Sequence, residues 1–140
     1  MKTPMIYLTT LCMLVFGSLK LQAQAFNPKN NNYLILSKNI EQLKPAILTA
    51  EALIEEDGKS YGDFYVVICG KTVSDIPNNN AFNNLLLEAT SKQVKVFVCG
   101  LSMKKFNVNP KDLPEHVNVV DNGILFGFQL KKQGFISLTI

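Results

Sequence analysis

The sequence contains no arginine, and all 14 of its basic side chains are lysines. Without the guanidinium fork, and with a net charge of only +3 spread over dispersed lysines, the chain is a poor nucleic-acid binder. It offers no basic patch for a membrane surface either. There is one histidine, His116, and there are three cysteines with no Cys-x-x-Cys pair. A zinc or iron–sulfur site therefore lacks ligands, and no metal is expected. Ser37-Lys38-Asn39 could face a phosphate, but the glycines of a nucleotide fingerprint are missing. A Ser/His/Asp triad would need Ser37 or Ser102 beside His116, and nothing in the spacing supports it. No internal repeat is visible beyond two Val-x-x-Cys-Gly runs, 66–70 and 96–100.

The one long apolar run, Ile6 to Phe16, is interrupted by Thr9 and Thr10 and is too short for a comfortable membrane span. Lys2 precedes it and Ala23-Gln24-Ala25 follows it as a small-x-small cleavage site. Residues 1–25 thus read as a secretory signal peptide, and the mature chain is expected in the periplasm or outside the cell. Cleavage after Ala25 leaves 115 of the 140 residues and, with Lys2 and Lys20 gone, lowers the charge from +3 to +1. That length suits one domain. Cys12 leaves with the signal, so Cys69 and Cys99 remain. No membrane association is expected after cleavage.

Residues 26–32 read as a polar, mobile leader and 33–140 as the domain. Tyr33 to Leu36 is a short apolar strand. Ile40, Leu43, Ile47, Ala50 and Ile54 trace one face of a helix, with Pro45 in its first turn and Gly58 at its end. Phe64 to Gly70 is a second strand. The polar loop 71–80 either shapes a site or forms a disordered tip. Ala81 to Gln93 is a helix with Phe82, Leu85, Leu86 and Ala89 inward. Val94 to Val98 is the third strand, and Ser102 is placed to cap a short helix behind it. Val117 to Val120 is a fourth strand. Ile124 to Gln133 is a last helix, with Leu125, Phe128 and Leu130 offered to the core. Phe135 to Ile140 is a strand at an edge or beside a subunit interface. The order βαβαβαβαβ predicts a parallel sheet with helices on both faces.

Ligands of such folds collect beyond the C-terminal strand ends, where Ser37, Cys69, Lys71, Cys99, Ser102 and Asn122 all fall. Cys99 ends a strand just before a helix N-terminus and near Lys104, a setting that lowers a thiol pKa. The same cysteine also reads as a small apolar residue closing a buried strand. Ser102 and Lys104 could steady a thiolate, or be a cap and a solvated lysine. His116, after Pro114-Glu115, reads as an exposed loop residue.

The run Val-Phe-Val-Cys99-Gly-Leu-Ser-Met103-Lys resembles the DsrE/DsrF-like family. So do Asn-Val-Asn-Pro-Lys-Asp-Leu113, Val117-Asn-Val-Val120, Asn122-Gly123 and Leu130-Lys-Lys-Gln-Gly134-Phe-Ile. The resemblance covers most of 33–140. It implies a three-layer α/β/α fold with a five-stranded, mainly parallel sheet in the order 4-3-2-1-5. It also implies homo-oligomers, no cofactor, and a sulfur-relay cysteine at the position of Cys99 that carries persulfide sulfur. Cys69 stands where many members have a histidine. In that strand order the second and third strands are neighbours, so Cys69 and Cys99 are expected side by side. Adjacent strands lie about 4.8 Å apart, within the roughly 4.4–6.8 Å span that a disulfide accepts.

The expectation is an exported protein handling sulfane sulfur or thiol redox through Cys99, as persulfide carrier or as half of a Cys69/Cys99 pair. Ser37, Lys71, Ser102 and Asn122 are its candidate substrate-binding residues. Its partners would be copies of itself and a small sulfur species or a thiol protein. The alternative is a non-catalytic oligomeric module for small-ligand binding or assembly, with Cys99 structural.

Overall fold

The computed structural model describes Asn27 and residues 29–140. The signal segment 1–25 lies outside the described residues. Five strands form one sheet: β1 (Asn31–Ser37), β2 (Tyr61–Ile68), β3 (Val94–Cys99), β4 (Val117–Val120) and β5 (Ile136–Thr139). Their order is β4-β3-β2-β1-β5 and every pairing is parallel. The helices are α1 (Leu43–Asp57), α2 (Asn80–Ser91), α3 (Gly100–Lys105) and α4 (Gly123–Lys132).

The central strands are apolar throughout because both of their faces are covered. Ile35, Phe64, Val66, Ile68, Val96 and Val98 pack with residues of α1 and α2 and with Met103 of α3. The alternate residues Leu34, Tyr65, Val67 and Phe97 pack with Leu130 and Phe126 of α4. The result is the three-layer α/β/α architecture.

Three expectations are corrected. The stretch 26–32 is not a loose leader throughout, because Asn31 and Asn32 already belong to β1. Asn32 is buried; its amide donates to the Asn27 and Asn30 carbonyls and its Oδ1 accepts from the Asp63 N–H. Gly62 makes room for it, since a Cβ there would lie 2.3 Å from Asn32 Oδ1. The loop 71–80 is packed, not a tip. It opens as a 3-10 turn, Lys71–Asp75, that buries Thr72 and Val73, and Ile76 follows them inside. Asn79 then caps α2 by accepting from Phe82 N–H at 2.9 Å.

The third correction is the inward face of α4. Leu125 and Phe128 are 53% and 61% exposed, while Gly123, Gly127 and Leu130 are buried. Steric access decides this. A Cβ on Gly127 would already sit 3.3 Å from Leu36 Cδ1, so the glycine edge is the one that can approach the sheet. A smaller difference concerns α1, where Ile54 is left 38% exposed and Leu53 packs instead. β5 lies at the sheet edge, but it turns Ile136 and Leu138 outward and keeps Ser137 half-buried.

Candidate thiol site at the strand ends

β2 and β3 run in register, with Ile68 opposite Val98. The next residues, Cys69 and Cys99, therefore end neighbouring strands side by side. Strand alternation turns both away from α1 and α2 and toward α4. The two are free thiols; Cys99 is 3% exposed and Cys69 is half-buried.

The two Cys-Gly endings do different jobs. Gly70 has φ 83°, a left-handed conformation that suits glycine, and it sends the chain into the turn at Lys71. Gly100 instead starts α3, with Cys99 as the preceding cap residue. A Cβ on Gly100 would meet the Val120 and Asp121 carbonyls at 3.1 Å, so glycine lets α3 abut the end of β4. Leu101 N–H donates to the Asp121 carbonyl at 3.0 Å and ties the two turns together.

Ser102 is consequently not the cap of α3. It sits at the third position of the helix, and its Oγ accepts from Gly70 N–H at 2.8 Å, linking the ends of β2 and β3. Asn122 caps α4 by accepting from both Ile124 and Leu125 N–H at 3.1 Å. Gly123, the first residue of α4, donates its N–H to Cys99 Sγ at 3.3 Å.

These contacts split the two thiols electrostatically. Burial pushes Cys99 up, but hydrogen bonds from Gly123 N–H, from the Ser102 hydroxyl and N–H, and from the Cys69 thiol outweigh it. Cys99 is thereby held below the ordinary thiol range. Cys69 is pushed up to about 12, first by burial, then by the charge of Cys99 and its hydrogen bond to it, with Lys38 opposing. Of the two, Cys99 is thus the more readily ionised, and Cys69, the one that holds its proton, donates to it. Such a pair presents one nucleophile and one proton-bearing partner.

The other candidates are placed differently. Ser37 is buried and its hydroxyl closes a turn, donating to the Asn39 carbonyl and accepting the Asn39 N–H. Its side chain falls on the face opposite the cysteines, yet its carbonyl accepts Cys69 N–H at 2.9 Å and so helps fix that residue. Lys71 is exposed at the start of the 3-10 turn, and Lys104 is exposed in the last turn of α3. His116 lines a cleft of about 500 Å³ with Asp63, Lys95 and Asn118, at the opposite end of the sheet. The chain's single imidazole is therefore remote from the thiols. The sequence offered Lys38 only within a phosphate-facing Ser37-Lys38-Asn39 run, and Gly123 only within the Asn122-Gly123 pair of the family resemblance; neither was tied to the thiols. Among the described residues, no three potential metal ligands converge and no helix is long and apolar enough to cross a membrane.

Two solved structures share this architecture. One is a protein of unknown function, MTH1491, from Methanobacterium thermoautotrophicum, with a TM-score of 0.67 and 16% identity. The match covers 79% of this chain and 99% of that one. The other is a conserved protein of unknown function, BT1422, from Bacteroides thetaiotaomicron, with a TM-score of 0.57, 16% identity, and coverage of 78% and 95%. The likeness is one of fold. No protein-family model and no curated protein matches the sequence.

Proposed function

We propose that this chain is an exported, DsrE-like thiol protein that takes up sulfane sulfur on Cys99 and discharges it with Cys69. The observation that carries the reading is the pairing of the two thiols under Gly123, whose N–H donates to Cys99 Sγ, with Cys99 pushed down and Cys69 pushed up. The Cys99 thiolate attacks the outer sulfur of a donor such as thiosulfate. The sulfur–sulfur bond breaks, sulfite leaves with the electron pair, and Cys99 carries a persulfide. Cys69 then loses its proton and attacks Cys99 Sγ. Hydrosulfide leaves, and a Cys69–Cys99 disulfide remains. The dithiol is oxidised by two electrons and the sulfane sulfur is reduced by two. The low exposure of Cys99 favours a small sulfur species over a protein persulfide as the donor.

Intact-mass spectrometry of the mature protein tests this. Thiosulfate is expected to add one sulfur atom to Cys69→Ser, to give loss of two hydrogens with sulfide release in wild type, and to leave Cys99→Ser unchanged. The untreated mass should begin at Phe26. No adduct on Cys69→Ser and no disulfide in wild type would defeat the reading. The burial of Cys99 favours a second reading, a structural thiol in a binding or assembly module, which predicts that negative outcome.

The same reading makes the protein a homo-oligomer. Ile124, Leu125 and Phe128 form an exposed apolar stripe on α4 without a charged residue, a surface that packs well against a copy of itself. Light scattering at roughly tens of micromolar, a usual range for weak association, should show an oligomer that Phe128→Glu dissociates. A wild type that is monomeric there would count against it.

A further inference from the structure

We propose that Gly123 is the positioning residue of the cysteine pair. Its N–H donates to Cys99 Sγ and holds it, and its missing side chain leaves the gap that brings Cys69 Sγ to Cys99. The inference rests on the reading of the pair as a working dithiol.

The first turn of a helix carries N–H groups without helical partners, and its dipole favours negative charge there. In α4 these donors are divided. Asn122 Oδ1 takes those of Ile124 and Leu125, and the Gly123 N–H goes to Cys99 Sγ. The gap is equally specific. A Cβ on residue 123 would lie 2.8 Å from Cys69 Sγ, 3.0 Å from Cys99 Cβ and 3.0 Å from Val67 Cγ1. Cys99 Cβ and Val67 Cγ1 belong to the buried sheet and yield little. Cys69 Sγ is the atom free to rotate, and it would rotate away from Cys99. Gly127 also seats α4, but its neighbours are Leu34 and Leu36, not sulfur.

Three variants separate these roles. Gly123→Ala adds the Cβ and keeps the N–H. Gly123→Pro adds a ring and removes the N–H as well. Proline suits the first helical position, and Asn122 before it is already extended, with φ −135° and ψ 103°. Gly127→Ala is the seating control. Two rates are read: alkylation of Cys99 at neutral pH, and closure of the disulfide by oxidised glutathione. In closure, the Cys99 thiolate attacks one glutathione sulfur and expels the other as thiolate. Cys69 then gives up its proton and displaces the second glutathione thiolate from Cys99 Sγ. Two electrons pass to glutathione.

Gly123→Ala is expected to slow closure at least about tenfold and to leave Cys99 alkylation within a few-fold of wild type. Gly123→Pro is expected to lower Cys99 alkylation about another tenfold, the equivalent of one pKa unit. Gly127→Ala should change neither ratio. In the wild-type protein, the Gly123 amide proton resonance should move as Cys99 titrates while that of Ile124 stays, a measurement independent of whether the proline variant folds. Closure in Gly123→Ala at the wild-type rate would overturn the gap. A Gly123 amide that ignores the Cys99 titration would overturn the N–H contact. A wild type that never closes a disulfide would instead sink the dithiol reading, and the gap with it.

Discussion

Replacing Cys99 with serine is expected to slow alkylation of the native protein by iodoacetamide at least about a hundredfold at neutral pH, because the remaining thiol is almost wholly protonated there. Cys69→Ser should keep a rapid phase. The reagent reacts with thiolate, and the two sulfurs differ in how much thiolate they supply. Cys99 lies below the ordinary thiol range because the hydrogen bonds from Gly123, Ser102 and Cys69 exceed the cost of its burial. Cys69 is pushed up to about 12, and burial, the leading cause, persists when Cys99 is gone. The pH profiles should differ in the same sense. The Cys99 rate levels off below the ordinary thiol range, whereas the Cys69 rate still climbs about tenfold per pH unit above it. A wild type that alkylates as slowly as Cys99→Ser would show that burial governs position 99, and the structural-thiol reading would stand.

The same shifts act on stability with opposite signs. Cys99 is depressed in the folded state, so its contribution is present above its unfolded value and is lost as pH falls through the folded one. Cys69 is raised, so its contribution is present below the unfolded value, roughly 8.5, and is lost as pH rises from there toward about 12. Together they place the pair's optimum near the ordinary thiol pKa. In urea melts between about pH 8.5 and 10, below the ordinary tyrosine pKa, Cys69→Ala should lose less stability than wild type; above that Tyr33 and Tyr61, also raised to about 12, add their own alkaline loss to both proteins.

The central strands β1, β2 and β3 were legible because each carries a nearly unbroken apolar run, and the βα alternation left one natural handedness for the connections. The adjacency of Cys69 and Cys99 followed from strand order, and the register of β2 on β3 agrees with it. The inward face of α4 was not legible. Ile124, Leu125, Phe126 and Phe128 make the helix apolar on nearly every side, so periodicity could not choose a face. Gly123 and Gly127 chose it by allowing close approach. Ser102 looked like a cap because capping statistics concern the local chain, and its partner, Gly70 N–H, is 32 residues away. The role of Gly123 was hidden for the same reason: its sulfur contacts come from strands far back in the sequence.

Phe97→Ala and Phe64→Ala should each cost about 3–5 kcal/mol, the usual loss for a truncated core phenylalanine, yet only the first should disturb the thiols. Against a total of roughly 5–15 kcal/mol for a domain, either is severe but survivable at low temperature. The two rings are both buried and lie on opposite faces of the sheet. Phe64 packs with the α1 and α2 layer. Phe97 lies under α4, its ring centroid 5.0 Å from Tyr65 and 5.0 Å from Phe126. Tyr65 in turn meets Phe135 at 5.1 Å, just beyond the end of α4. This aromatic cluster holds α4 on the sheet, and α4 carries the N–H that faces Cys99. Removing the Phe97 ring frees the helix to shift, and the Cys99 thiolate loses a donor whose position depends on that packing. Well below the melting temperature, Phe97→Ala should therefore move the Cys99 titration toward the ordinary thiol range, while Phe64→Ala, equally destabilised, should titrate as wild type. Equal shifts in the two variants would mean that general loosening, not the seating of α4, sets the thiolate.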